Sequence, residues 1–159
     1  MIEIITTGGT FDKVYHPEKG ELCFPKESFI GEILKTARVT QSFIHKPLIS
    51  IDSLEMTQTH RQSLFLKISE SSCQKIIVTH GTDTIPETAQ FLMSRNLNKT
   101  IVLCGAMRPH SLGQSDASFN LGFALSAVQL LPTGVYVAMN GQVFKGAITK
   151  NKALGIFEH

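Results

Sequence analysis

Two runs of this chain end an apolar stretch in a hydroxyl seated on glycine: Ile4-Ile5-Thr6-Thr7-Gly8-Gly9-Thr10 and Val78-Thr79-His80-Gly81-Thr82-Asp83-Thr84. A hydroxyl becomes a useful nucleophile only when held beside a proton acceptor and amide donors. Glycine lets backbone approach a ligand without side-chain obstruction. Thr10 and Thr82 supply hydroxyls, and Asp83 supplies a carboxylate. Lys150, in Ile148-Thr149-Lys150-Asn151, is the candidate to pair with Asp83 and relay a proton from Thr82. A lysine does this only as the neutral amine, a form favoured by desolvation or a neighbouring cation. Each residue also has an ordinary reading. Threonine in a Gly-rich turn is common turn chemistry, and a lysine in this position is usually solvated. Phosphate binding fits poorly, because neither run has the G-x-G-x-x-G or Gly-Lys-Ser/Thr form.

These residues need elements to position them. Short β-rich runs at 3–6, 42–51, 75–80, 100–105 and 134–139 read as strands, with a further extended segment at 142–148. Helical patterns fall at 26–37, 58–70, 86–95 and 115–130. The alternation predicts an α/β fold: an open, mainly parallel sheet with helices on both faces, a Rossmann- or flavodoxin-like three-layer sandwich. Residues 12–25 read as a β-hairpin flap after the first strand, with Pro17 and Gly20 near its tip, expected to order over a bound ligand. Thr84-Ile85-Pro86-Glu87 has the T-x-x-E form of a capping box. Ligands of such sheets bind beyond the carboxyl ends of the strands, where Thr7–Thr10, Asp52-Ser53 and Gly81-Thr82-Asp83 all fall. Arg108 is expected to cap a strand end or pair with an acid such as Asp116, and His80 to be a hydrogen-bonded core histidine.

Composition narrows the function classes. The 159 residues suit one domain, and the net charge of +2 comes from scattered Lys and Arg. That pattern gives no footprint for nucleic acid or an anionic membrane surface, and no signal peptide or transmembrane segment is expected. Cys23, Cys73 and Cys104 have no zinc spacing, and the histidines are dispersed, so no metal site or cofactor is expected. Free thiols point to a cytoplasmic protein, with Cys104 a small core hydrophobe.

Thr7-Gly8-Gly9-Thr10, His80-Gly81-Thr82-Asp83-Thr84 and Gly105-Ala106-Met107-Arg108-Pro109 resemble the signatures of the bacterial-type L-asparaginase family of threonine amidohydrolases. Asp52-Ser53, Phe119-Asn120-Leu121 and Met139-Asn140-Gly141 extend the resemblance in the family's order. It implies Thr10 as primary nucleophile, Tyr15 as the flap tyrosine, and Thr82, Asp83 and Lys150 as a second triad. Substrate contacts would come from Gly9, Asp52, Ser53, Gly81, Thr82 and Asp83, with Ser53 taking the α-carboxylate and Asp83 the α-amine. The implied reaction converts L-asparagine to L-aspartate and ammonia through an acyl-threonine, with L-glutamine a weaker substrate. Two features depart from the family pattern. Leu54 stands where many members have a polar residue, and residues 1–159 resemble only the N-terminal domain, without the second domain. Two other functions fit the same residues: a weakly catalytic domain binding asparagine or aspartate, and an amidotransferase subunit supplying ammonia to a partner. A homodimer or higher homo-oligomer is expected to cover the apolar surface of 119–131 and the Ile156-Phe157 tail.

Overall fold

Every residue of the first strand, β1 (Ile2–Gly8), is buried. A strand of that kind needs cover on both faces, which a parallel sheet between helix layers provides. The computed structural model describes residues 1–159 and has this arrangement. After β1 come a hairpin, β2 (Val14–His16) and β3 (Glu21–Cys23), then α1 (Ile30–Thr36) and β4 (Phe43–Ile51). The chain continues through α2 (Gln58–Glu70), β5 (Lys75–Thr79), α3 (Ile85–Met93), β6 (Thr100–Cys104), α4 (Ala117–Leu130) and β7 (Gly134–Met139). It closes with β8 (Gln142–Phe144), β9 (Thr149–Asn151) and β10 (Ile156–Glu158).

The main sheet has the order β4-β1-β5-β6-β7-β8, with parallel pairs throughout except the antiparallel β8 edge. From β1 the chain builds outward to β4, then returns to the other side of β1 as β5. The strand order therefore reverses between β1 and β5, and their carboxyl ends open a crevice there. Thr6 is in register with Thr79, so the two glycine turns leave the sheet side by side. Helices α1 and α4 line a common groove, and α2 packs on α3. The buried positions of α4, namely Ala117, Asn120, Leu121, Ala124, Ala127 and Val128, follow helical spacing.

Four local expectations need correction. The first helix begins at Ile30 rather than near residue 26, because Asp12 Oδ1 accepts from Ser28 Oγ and the Phe29 amide and holds that stretch as a turn. Thr84 is not a capping-box residue: its Oγ1 donates to the Ser53 carbonyl at 2.8 Å. The capping box sits instead on α2, where Thr57 and His60 exchange side-chain and backbone bonds. His60 occupies the position usually held by Glu or Gln, which hid it from the T-x-x-E pattern. The segment after β7 is not one strand. It breaks at Gly146, at φ 102°, and continues as a separate β9–β10 ribbon. Phe157 of that ribbon is buried and packs near Phe144, so it belongs to the core rather than to an apolar surface, whereas Phe119 and Leu130 on α4 are exposed. No helix is long and apolar enough to cross a membrane.

Candidate active site

The two glycine turns meet through backbone alone. Gly8 and Gly9 have φ of 90° and 77°, a region L side chains avoid. A Cβ on Gly9 would fall onto the Cα and N of Gly81. A Cβ on Gly81 would lie 2.5 Å from the Ser53 Cβ. The first turn, the second turn and the Asp52-Ser53 loop thus stack with no room for a methyl group between them. Gly81→Ala is expected to push this stack apart and cost about 1–3 kcal/mol, the usual range for overpacking. An unchanged urea unfolding midpoint would overturn that close contact.

Lys150 reaches the second turn from β9. Its Nζ donates to Thr82 Oγ1 at 2.8 Å and to Asp83 Oδ1 at 2.7 Å. Phe157 pairs with Lys150 across the β9–β10 ribbon, so burial of Phe157 places the lysine. The Lys150 side chain is 12 % exposed. A cleft of ≈ 350 Å³ opens beside this trio, lined in part by Leu54, Glu87 and Thr149. The structure therefore brings Lys150 to the adjacent Thr82 and Asp83, from which it is far apart in sequence.

The remaining expected residues divide. Ser53 is buried, and its carbonyl is held by Thr84. Asp52 is committed on both oxygens: Oδ2 accepts from Lys13 Nζ at 2.6 Å and Oδ1 from the Leu54 amide. The Lys13 hydrogen bond holds the Asp52 carboxyl below its usual range. This pair ties the base of the hairpin to the Asp52-Ser53 loop. Thr10 is half-buried and starts a single turn, Thr10–Asp12, at the mouth of the crevice. Asp12 is buried, and desolvation pushes its carboxyl up. Tyr15 sits on β2, 55 % exposed, and makes no hydrogen bond to Thr10. The hairpin expected after the first strand is present, with Tyr15 opposite Leu22.

Two supports escaped the sequence reading. Asp116 accepts from the Met107 and Arg108 amides, while Asn120 Nδ2 donates to the Gly105 carbonyl. Together they hold the Gly105–Arg108 loop. The Arg108 guanidinium donates to the Gly113 and Leu112 carbonyls and not to Asp116. Arg61 and Thr88 form the second support, around His80. Only a tertiary structure joins α2, α3 and the end of β5, so no local pattern could have revealed it.

His80 is a fully buried, hydrogen-bonded core histidine, as expected. Burial pushes it down to about 4 from 6.5, and nearby Arg61 acts in the same direction. The unfolded chain therefore takes up a proton near pH 6.5 that the folded chain refuses until about 4. Stability from this residue is full above pH 6.5 and is lost as pH falls toward 4. The loss should be on the order of 3 kcal/mol. Raised Asp12 opposes the trend and lowered His45 adds to it, so the comparison that isolates His80 is wild type against His80→Gln. Denaturant titrations across that window should give a shallower pH slope for the variant, and equal slopes would exclude a neutral buried His80. Cys104 is buried in the core and its thiol is pushed up to about 12. No group of three or more His, Cys, Asp or Glu side chains gathers at metal-binding distance.

The profile described as Asparaginase, N-terminal, matches residues 1–155. This chain belongs to the asparaginase family. Among asparaginase relatives, L-asparaginase 2 of Escherichia coli (strain K12) is 34% identical over 117 residues, covering 69% of this chain and 33% of that protein. One component of the glutamyl-tRNA(Gln) amidotransferase of Pyrococcus abyssi is 32% identical over 151 residues, covering 89% of this chain and 34% of its own length. The solved thermostable L-asparaginase from Thermococcus kodakarensis superposes with a TM-score of 0.86 at 26% identity, over 99% of this chain and 50% of that one. This asparaginase-family chain thus spans about a third of the length of these curated relatives and half of the solved structure.

Proposed function

We propose that this chain takes part in hydrolysing the side-chain amide of L-asparagine through a threonine nucleophile. The observation that carries the reading is Lys150 Nζ within hydrogen-bond reach of both Thr82 and Asp83, beside the Gly9–Gly81 contact. Thr10 Oγ attacks the amide carbon, and its proton passes by way of the Thr82–Lys150 pair to the leaving nitrogen. The C–N bond breaks, ammonia departs, and an ester to Thr10 remains. Water then attacks that ester, releasing L-aspartate and returning the proton to Thr10. Backbone amides near Thr10 and Thr82 face the oxyanion. Ser53 and Asp83 hold the α-carboxylate and α-amine, and Gly9 and Gly81 supply backbone against the substrate. Asp52 serves by fixing the Ser53 loop through Lys13. Tyr15 reaches Thr10 by movement of its hairpin, a closure that also excludes water.

A second reading has its own support. The relative aligned over the larger share of this chain is a component of an amidotransferase. In that reading the same chemistry releases ammonia for a partner protein. Ammonia release by the purified chain, measured with asparagine and glutamine side by side, decides between them. Turnover of asparagine by the chain alone supports the hydrolase. Silence with both substrates, relieved only by a partner, overturns it in favour of the ammonia donor.

A further inference from the structure

The His80 ring has no part in the reaction written above, yet it touches the carbonyl of Gly81, the residue against which Gly9 packs. Nδ1 is 2.8 Å from the carbonyl oxygen of Gly81. A carbonyl only accepts, so Nδ1 carries the hydrogen. In the neutral ring Nε2 is then an acceptor, and it faces Thr88 Oγ1 at 2.8 Å. Thr88 therefore donates its hydroxyl hydrogen to the ring, and its oxygen accepts from Arg61 Nε at 3.0 Å. Arg61 is fixed in turn by Nη1 donating to the Met56 carbonyl at 3.0 Å. The Met56 sulfur closes the pocket 2.9 Å from Nε2. All the hydrogens in this relay point one way, from Arg61 through Thr88 and His80 to Gly81. A protonated ring would instead direct two cations at one hydroxyl.

The relay has a geometric output. The Gly81–Thr82 bond is trans, so its carbonyl and its N–H point in opposite directions. Drawing the Gly81 oxygen into the core turns the Thr82 N–H away from it. We propose that His80, held as its Nδ1–H tautomer by Thr88 and Arg61, is a positioning residue that locks the Gly81–Thr82 peptide with its amide hydrogen facing the crevice. The assignment rests on the reading that Thr82 belongs to the active site, but its first two readouts need no turnover.

In the ¹⁵N-labelled full chain at neutral pH, His80 should show a protonated Nδ1 and an unprotonated Nε2. Thr88→Val removes the donor to Nε2. It should release the tautomer preference, shift the Thr82 amide resonance, and lower kcat for asparagine at least about tenfold with KM within about threefold. Thr88→Ser should restore the resonance and recover kcat to within about threefold of wild type. An Nε2–H tautomer or a doubly protonated ring in the wild type overturns the proposal. So does Thr88→Val with an unmoved Thr82 amide. If Thr88→Val does not fold, His80→Asn against His80→Leu carries the test, because Asn keeps an N–H donor near the Nδ1 position. Asn should then retain at least about ten times the kcat of Leu, and equal values overturn the proposal. A wild type that releases no ammonia defeats the hydrolase reading alone, since the tautomer and the Thr82 amide still decide this one.

Discussion

Thr10→Ala is expected to lower ammonia release from asparagine by at least about a thousandfold, with little change in the urea unfolding midpoint. The two halves of that expectation have separate grounds. Thr10 directly follows Gly9, whose backbone abuts Gly81, so its hydroxyl sits at the switch between β1 and β5. Without the hydroxyl no acyl intermediate forms, and binding and oxyanion contacts alone leave only slow direct attack by water. The fold should survive because the turn is held by backbone contacts and by Phe11, which is buried beside Thr10. Retention of more than about a tenth of the wild-type rate would exclude Thr10 as nucleophile.

Lys150→Met should reduce kcat by about 10²–10⁴-fold, the range for a positioned proton-transfer group, with KM changed less than about threefold. Methionine has similar length but no donor, so Thr82 Oγ1 and Asp83 Oδ1 both lose their partner. Asp83 keeps its carboxylate, which is why binding should suffer less than turnover. Steady-state kinetics with asparagine separates the two effects. A variant with unchanged kcat and a weakened KM would recast Lys150 as a binding residue.

How far the sequence foretold this site depends on the range of the interaction involved. The strands and the hairpin were legible because their signals are local: buried runs of Ile and Val, and Pro17 with Gly20 in the turn. The mainly parallel sheet followed from alternation of strand and helix, but its strand order, which sets the two glycine turns side by side, came only with the structure. Lys150 was singled out as a partner for Asp83 and the resemblance pointed to the same residue, but its position alone favoured an ordinary solvated lysine. Nothing in residues 142–159 announces a ribbon pinned by Phe157. Lys13–Asp52 and Arg61–Thr88–His80 were invisible for the same reason, since each joins side chains separated by several elements. The false capping box is the converse case. Thr84 has the right neighbours in sequence, but the Ser53 carbonyl is a nearer partner in space.

The β9–β10 ribbon forms its own two-stranded sheet and shares no strand pairing with the main one. A pair of three-residue strands has little intrinsic stability, and it is held to the body by Phe157 packed near Phe144, by the Phe157 amide donating to Asn140 Oδ1 and by the Lys150 bonds. Its opening should therefore cost less free energy than global unfolding and occur while β1, β5 and β6 remain intact. In that partly open species Thr82 and Asp83 keep their places but have lost Lys150 as a partner. Under mild denaturant or modest heating, inactivation would precede the cooperative transition, and amide exchange in residues 149–158 would outpace exchange in β5. The working life of the site would then be set by how long this small ribbon stays docked, not by the melting of the sheet behind it.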